Sequence, residues 1–202
     1  MATVRKLRPD PGLTGYLLHI RLEEITPLVW RRVWVEGHMR LVRLHHIIQA
    51  AMGWTDAHLH EFTIEGIRYG TPDDEDHPDF PVTEERGILL HKVLSPGLTF
   101  EYLYDFGDGW MHRITVERIR PLKDPYGAGL VDSGARACPP EDCGGAHSYQ
   151  EFLHELKSNP KSEEAQSFLE WAGTDFDPER FDRHATNAAL LRMAWNQWGE
   201  KK

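Results

Sequence analysis

Cysteine is nearly absent: Cys138 and Cys143 are the two in 202 residues, too few for a disulfide framework. No apolar run opens the chain, so neither a signal peptide nor a membrane anchor is expected, and a cytoplasmic location follows. Basic charge is also short. Lys and Arg number 23 against 32 Asp and Glu, a formal charge of −9 that disfavours generic binding to phosphate backbones. A local patch at Arg31, Arg32, Arg40 and Arg43 keeps nucleic acid open as a partner.

Large aromatics are plentiful. Seven Trp and eight Phe supply the bulk for one substantial core. Two short stretches concentrate the special chemistry. They are Tyr104-Asp-Phe-Gly-Asp-Gly-Trp-Met-His112 and Cys138-Pro-Pro-Glu-Asp-Cys-Gly-Gly145, each with carboxylates, a soft or imidazole ligand and chain-reversing glycines. Such density points to one polar site built from loops on a rigid scaffold.

Period-two alternation predicts strands at Tyr16 to Leu22, Val29 to Val35, Leu98 to Tyr104 and Trp110 to Val116. The Gly107-Asp108-Gly109 turn predicts that the last two form a hairpin. Strands are also expected at His58 to Ile64 and Ile67 to Tyr69. Leu41, Leu44, Ile48 and Met52 fall at helical spacing, with Gly53 as the stop. Ile88 to Leu94 reads as a short helix and Pro121 to Pro140 as loop. Ser148 with Glu151 has the form of a capping box; a second helix runs from Ser162 to Ala172. Asp177-Pro178 opens a last helix carrying Phe181, Ala185, Ala188, Leu191, Trp195 and Trp198. The expected fold is α+β, a single domain over 1–202. It has a mostly antiparallel sheet, helices packed on one face and a helical C-terminal third. Residues 1–13 read as a tail and 70–82 as a mobile acidic loop.

Several segments together resemble the plasmid pRi ORF-3-like family, whose members carry an insertion-sequence TnpR-like accessory label. They are Pro27-Leu-Val-Trp-Arg-Arg32, Leu44-His-His-Ile-Ile-Gln49 with Met52-Gly-Trp54, and His58-Leu-His-Glu-Phe62. The two dense stretches and Phe176-Asp-Pro-Glu-Arg-Phe-Asp182 complete the set. The resemblance implies an α+β fold and an association with mobile DNA. The residues do not supply recombinase chemistry. No Ser precedes residue 95 to act as a resolvase nucleophile, and no His-x-x-Arg occurs for a tyrosine recombinase. Asp105-Phe-Gly lacks the other motifs of a kinase.

His58 and His60 lie two apart on a strand, so they share a face. With Asp105, Asp108, His112, Asp142 and Cys143 they form a candidate ligand set for zinc, iron or manganese. The bland alternative is a hairpin turn whose aspartates bond their own backbone. His45, His46 and Gln49 read as a polar helix face. Trp30, Trp34, Trp54 and Trp110 offer either a stacking platform for bases or core packing. Arg31, Trp54, Tyr104, Trp110 and Glu141 are the candidate binding residues; Glu141-Asp142-Cys143 also fits a thiol nucleophile beside an acid. The leading expectation is a non-catalytic binding or accessory module associated with mobile DNA. The alternative is a metal-dependent hydrolase that uses the His/Asp/Cys loop site.

Overall fold

The computed structural model describes residues 13–72, 81–173 and 175–197. Eight strands form one sheet: β1 (Thr14–Leu22), β2 (Trp30–Glu36), β3 (His60–Ile64), β4 (Ile67–Gly70), β5 (Val82–Glu84), β6 (Thr99–Tyr104), β7 (Trp110–Pro121) and β8 (Leu130–Ala135). Helices α1 (Leu41–Met52) and α2 (Leu90–Val93) interrupt them, and α3 (Gly145–Ser158), α4 (Glu163–Ala172) and α5 (Arg183–Trp195) follow. The spatial order is β5-β4-β3-β6-β7-β1-β2-β8, antiparallel throughout except for the parallel β4–β5 pair. The domain is α+β, as expected.

Alternation sets the inner face. Leu18 pairs with Val33 and Val116, and Ile20 with Arg31 and Ile114. The apolar members of these rungs are fully buried. Each contributes roughly 1.5–3 kcal/mol through removal of its side chain from water. Helix α1 buries Leu41, Leu44, Ile47, Ile48 and Ala51, and stops where Gly53 turns left-handed at φ 101°.

Four sequence expectations need correction. The span from Pro121 to Pro140 is not all loop: β8 pairs with β2 along the sheet edge. Its Val-Asp-Ser-Gly-Ala core carries little apolar alternation, because an edge strand is held mainly by ladder hydrogen bonds. Ser148 caps nothing. Helix α3 starts three residues earlier, behind Gly144 in the left-handed conformation. Asp182, not Asp177, caps α5, accepting from the N–H groups of His184 and Ala185. Asp177 instead closes a preceding turn onto Glu179. Helix α5 buries Leu190 and Met193, whereas Leu191 and Trp195 face out. The expectations for 1–12, 73–80 and Trp198 lie outside the described residues. None of the described helices is long and apolar enough to cross a membrane.

Candidate functional site

The β6–β7 hairpin turns at Asp105, whose φ of 55° is left-handed. Its carboxylate accepts the N–H groups of Gly107 (3.0 Å) and Asp108 (3.3 Å), which fixes the turn. The second dense stretch docks directly on it. The Gly144 N–H donates to Asp108 Oδ2 at 3.2 Å. Gly145 lies so close that a Cβ there would sit 2.5 Å from the Asp108 carbonyl oxygen, at a φ of 79°. Only glycine fits that contact.

A third segment, Trp54 to Leu59, closes the arrangement. The indole N–H of Trp54 donates to the Pro139 carbonyl at 2.9 Å. Glu141 is a clasp. One carboxylate oxygen accepts from the Thr55 amide (3.0 Å) and hydroxyl (2.5 Å), and the other from the Tyr104 hydroxyl (2.5 Å). The Tyr104 oxygen in turn accepts from the Ala57 amide. Burial first, then the hydrogen bond to Glu141 and that carboxylate's charge, push the Tyr104 phenol well above its ordinary range, so it stays a donor.

Where these loops meet, His58 Nε2 lies 3.2 Å from Asp142 Oδ1 and 3.6 Å from Asp105 Oδ2. One donor atom from each residue falls within 4.8 Å of the other two. The ring nitrogen is shielded from water yet makes no hydrogen bond. Asp142 is thus near it but off its N–H axis. Asp142 also has a left-handed backbone, at φ 58°. One imidazole and two carboxylates suit a hard-to-borderline divalent ion.

A second polar cluster adjoins the first across the Tyr104 ring, which lies 5.8 Å from the His58 ring and 6.4 Å from the His45 ring. Asp56, at φ 62°, sets its carboxylate against two consecutive imidazoles of α1. Oδ1 lies 2.5 Å from His45 Nε2, and Oδ2 lies 3.0 Å from His46 Nδ1. Burial opposes charge on Asp56, but the two imidazoles beside it prevail and hold its carboxyl well below the usual range. Burial lowers His45 to about 4, against the pull of Asp56. The His45 ring stacks on His60 at 3.4 Å and 4° between planes, and His60 bonds both oxygens of buried Glu85 at 3.1 Å.

The seven predicted ligands therefore separate. His58, Asp105 and Asp142 come together. His60 joins His45 and Glu85. Asp108 holds the Gly144 amide. His112 is a correction: it is wholly buried against Tyr102 and Trp54, with Nδ1 on the Trp110 and Tyr102 carbonyls. Burial lowers it to about 4, so it is a neutral core residue. Cys143 is half-buried, and burial with the nearby Asp108 charge pushes its thiol up to about 12. Burial raises buried Cys138 as well. Neither thiol has the depressed pKa of an activated nucleophile.

The binding candidates need correction too. Arg31 is 2% exposed and donates inward to the carbonyls of Trp30, Ala51 and Ala135, so it is not available to a phosphate in solution. Arg43 is also buried, and the basic patch read from the sequence dissolves. Trp54 and Trp110 are core. Trp30 and Trp34 lie on the other face of the sheet, under the guanidinium groups of Arg32 and Arg120. Asp56 and Glu85 were missed in the sequence. Asp56 follows the α1 stop within three residues, close enough to fold back on the helix end, which is the one local signal it offers. Two surface grooves, one between α3 and α4 beside Phe152 and Phe168, the other beside Arg31 and Phe181, do not reach His58 or either of its carboxylates.

Fold and site together define a class: one mostly antiparallel sheet, helices on one face, and interlocked His/Asp loops where β3, β6 and β7 meet. The chain belongs to the plasmid pRiA4b ORF-3-like protein family, whose model matches residues 14–185. It is 41% identical over 186 residues to uncharacterized protein y4hQ of Sinorhizobium fredii (strain NBRC 101917 / NGR234). That match covers 91% of this chain and 94% of the relative. The crystal structure of the protein of unknown function MM3350 from Methanosarcina mazei Go1 superposes with a TM-score of 0.76 at 35% identity. It covers 85% of this chain and 96% of the other.

Proposed function

We propose that the protein is a metal-dependent hydrolase in which His58, Asp105 and Asp142 hold a divalent ion. The observation that carries this reading is the convergence of three donors from three loops, with the His58 ring nitrogen shielded and unbonded between two carboxylates. Donors about 2.0–2.2 Å from a common ion sit roughly 3 Å from one another, near the 3.2 and 3.6 Å that separate His58 Nε2 from its two carboxylates. A bound ion of this kind supplies an acidified water as nucleophile. The chain supplies the frame. Asp105 is pinned by its own turn, and Glu141 locks the loop bearing Asp142 to the loop leading to His58.

Asp142 is 71% exposed in its side chain, so its replacement tests ligation with little effect on folding. Asp142→Asn is expected to weaken zinc or manganese binding by at least about tenfold, since even groups that only orient ligands are worth that much. It should also remove metal-dependent hydrolysis of activated ester and phosphodiester reporters. Unchanged affinity measured by dialysis would sink the site.

A second reading is an accessory module that contacts nucleic acid near mobile DNA without chemistry of its own. The outer sheet face favours it, for Arg21, Trp30, Arg32 and Arg113 lie there on neighbouring strands. Glu23 and Glu117 pair with those arginines, however, and blunt the face. A labelled single strand that fails to bind even at low salt would remove this reading.

A further inference from the structure

We infer that His45, His46 and Asp56 form a second site for a first-row divalent transition ion, in addition to the one proposed at His58. Two imidazoles and one carboxylate are a donor set suited to zinc or ferrous iron. Consecutive helical residues point about 100° apart. They therefore meet at one carboxylate only if it stands between them, and the left-handed bend at Asp56 places it there.

His46 Nδ1 is the telling atom. It is shielded from solvent and lies 3.0 Å from Asp56 Oδ2, yet it makes no hydrogen bond. The contact is short but off the N–H axis, as between two donors aimed at a common point rather than at each other. His45 has the support a ligating imidazole needs on its far nitrogen. Its Nδ1 lies 2.8 Å from the Tyr102 hydroxyl, which Gln49 holds at 3.0 Å through its amide nitrogen. Through its amide oxygen Gln49 also accepts the Asp56 N–H at 3.2 Å. That hydroxyl can donate to Nδ1 or accept from it. Nε2 can thus serve as a donor to Asp56 or present an open lone pair, and the cluster is competent with or without an ion. His46 and Asp56 are partly exposed, which leaves an entry path and room for water as a further ligand.

The two sites share the segment from Thr55 to His58, so an ion at Asp56 would tether α1 to the strand entry that carries His58. This inference stands on its own atoms and does not require the ion at His58. Full-length protein stripped with chelator and titrated with cobalt(II) tests it, read by equilibrium dialysis and visible d–d absorption. Wild type is expected to bind two equivalents. His46→Ala should lose one while keeping the Asp142-dependent one; Asp142→Asn should lose the other. If His46→Ala binds as much cobalt as wild type, the inference is overturned and the reading at His58 stands. If only Asp142→Asn leaves binding unchanged, the reverse holds. Should His46→Ala not fold, the unmutated protein still decides. Zinc must shift the imidazole nitrogen resonances of both His45 and His46, and resonances that do not move overturn the site.

Discussion

The Arg31 guanidinium gives hydrogen bonds to main-chain oxygens of α1, β2 and β8 and lies 4.2 Å from the centre of the Phe181 ring. One side chain therefore joins the sheet edge to the first helix and to the segment before α5. Burial lowers its pKa, with opposition from Cys138, but an arginine stays charged in practice. Removing it takes the donor from three main-chain acceptors, of which the Ala51 carbonyl is buried. Arg31→Ala is expected to destabilise by roughly 3–5 kcal/mol in urea unfolding. Arg31→Lys should recover less than half of that, because a point charge cannot serve a fork of three bonds. A fully stable Arg31→Lys protein would show that the fork does not matter. Alternation along Val29 to Val35 sets Arg31 and Arg32 on opposite faces, but it does not say which face is inside. Register decided that, by setting Arg31 opposite Ile20. For His112 the same ambiguity concealed a core residue behind a ligand-like neighbourhood.

At the scale of elements, strands with strict alternation and the amphipathic first helix were legible, since burial of one face writes itself into the residue pattern. Strands β5 and β8 were not. Both are sheet edges, held by main-chain bonds that any residue can make. The site was legible as two dense loops, and His58, Asp105 and Asp142 were among the expected ligands, but the set was too wide and lacked Asp56, because the contacts that sort it lie far apart in sequence. Glu141 carries that junction. Its carboxylate receives three donors, and charged hydrogen bonds contribute about 1.5–3 kcal/mol each at most. Glu141→Ala is expected to speed amide hydrogen exchange at Gly144 by about tenfold or more. Gly144 bonds Asp108 and not Glu141, so the readout reports loop docking rather than the lost acceptor itself. An unchanged rate at Gly144 would show that the loops hold without the clasp.

For the molecule as a whole, acid is the informative stress. His112 is fully buried with its pKa lowered to about 4, against 6.5 for an ordinary imidazole. A lowered base pKa means that the unfolded chain binds the proton first as pH falls. Stability from this residue is thus fully present above pH 6.5 and is lost progressively down to about pH 4. The loss amounts to roughly 3 kcal/mol at most. Urea midpoints measured across that window should fall with acidification. His112→Leu should flatten the fall, whatever its effect on the midpoint at neutral pH. If the slope is the same in both proteins, His112 is not the group being titrated.

The clasp between Thr55 and Glu141 spans 86 residues of chain. Contacts of such long range form late, after the local hairpins and α1. During synthesis, then, every residue of the strands from β1 to β7 is added before the loop bearing Asp142 exists. A nascent chain halted before residue 141 would hold His58 and Asp105 without their third partner, so the three donors exist together only once synthesis has passed Asp142.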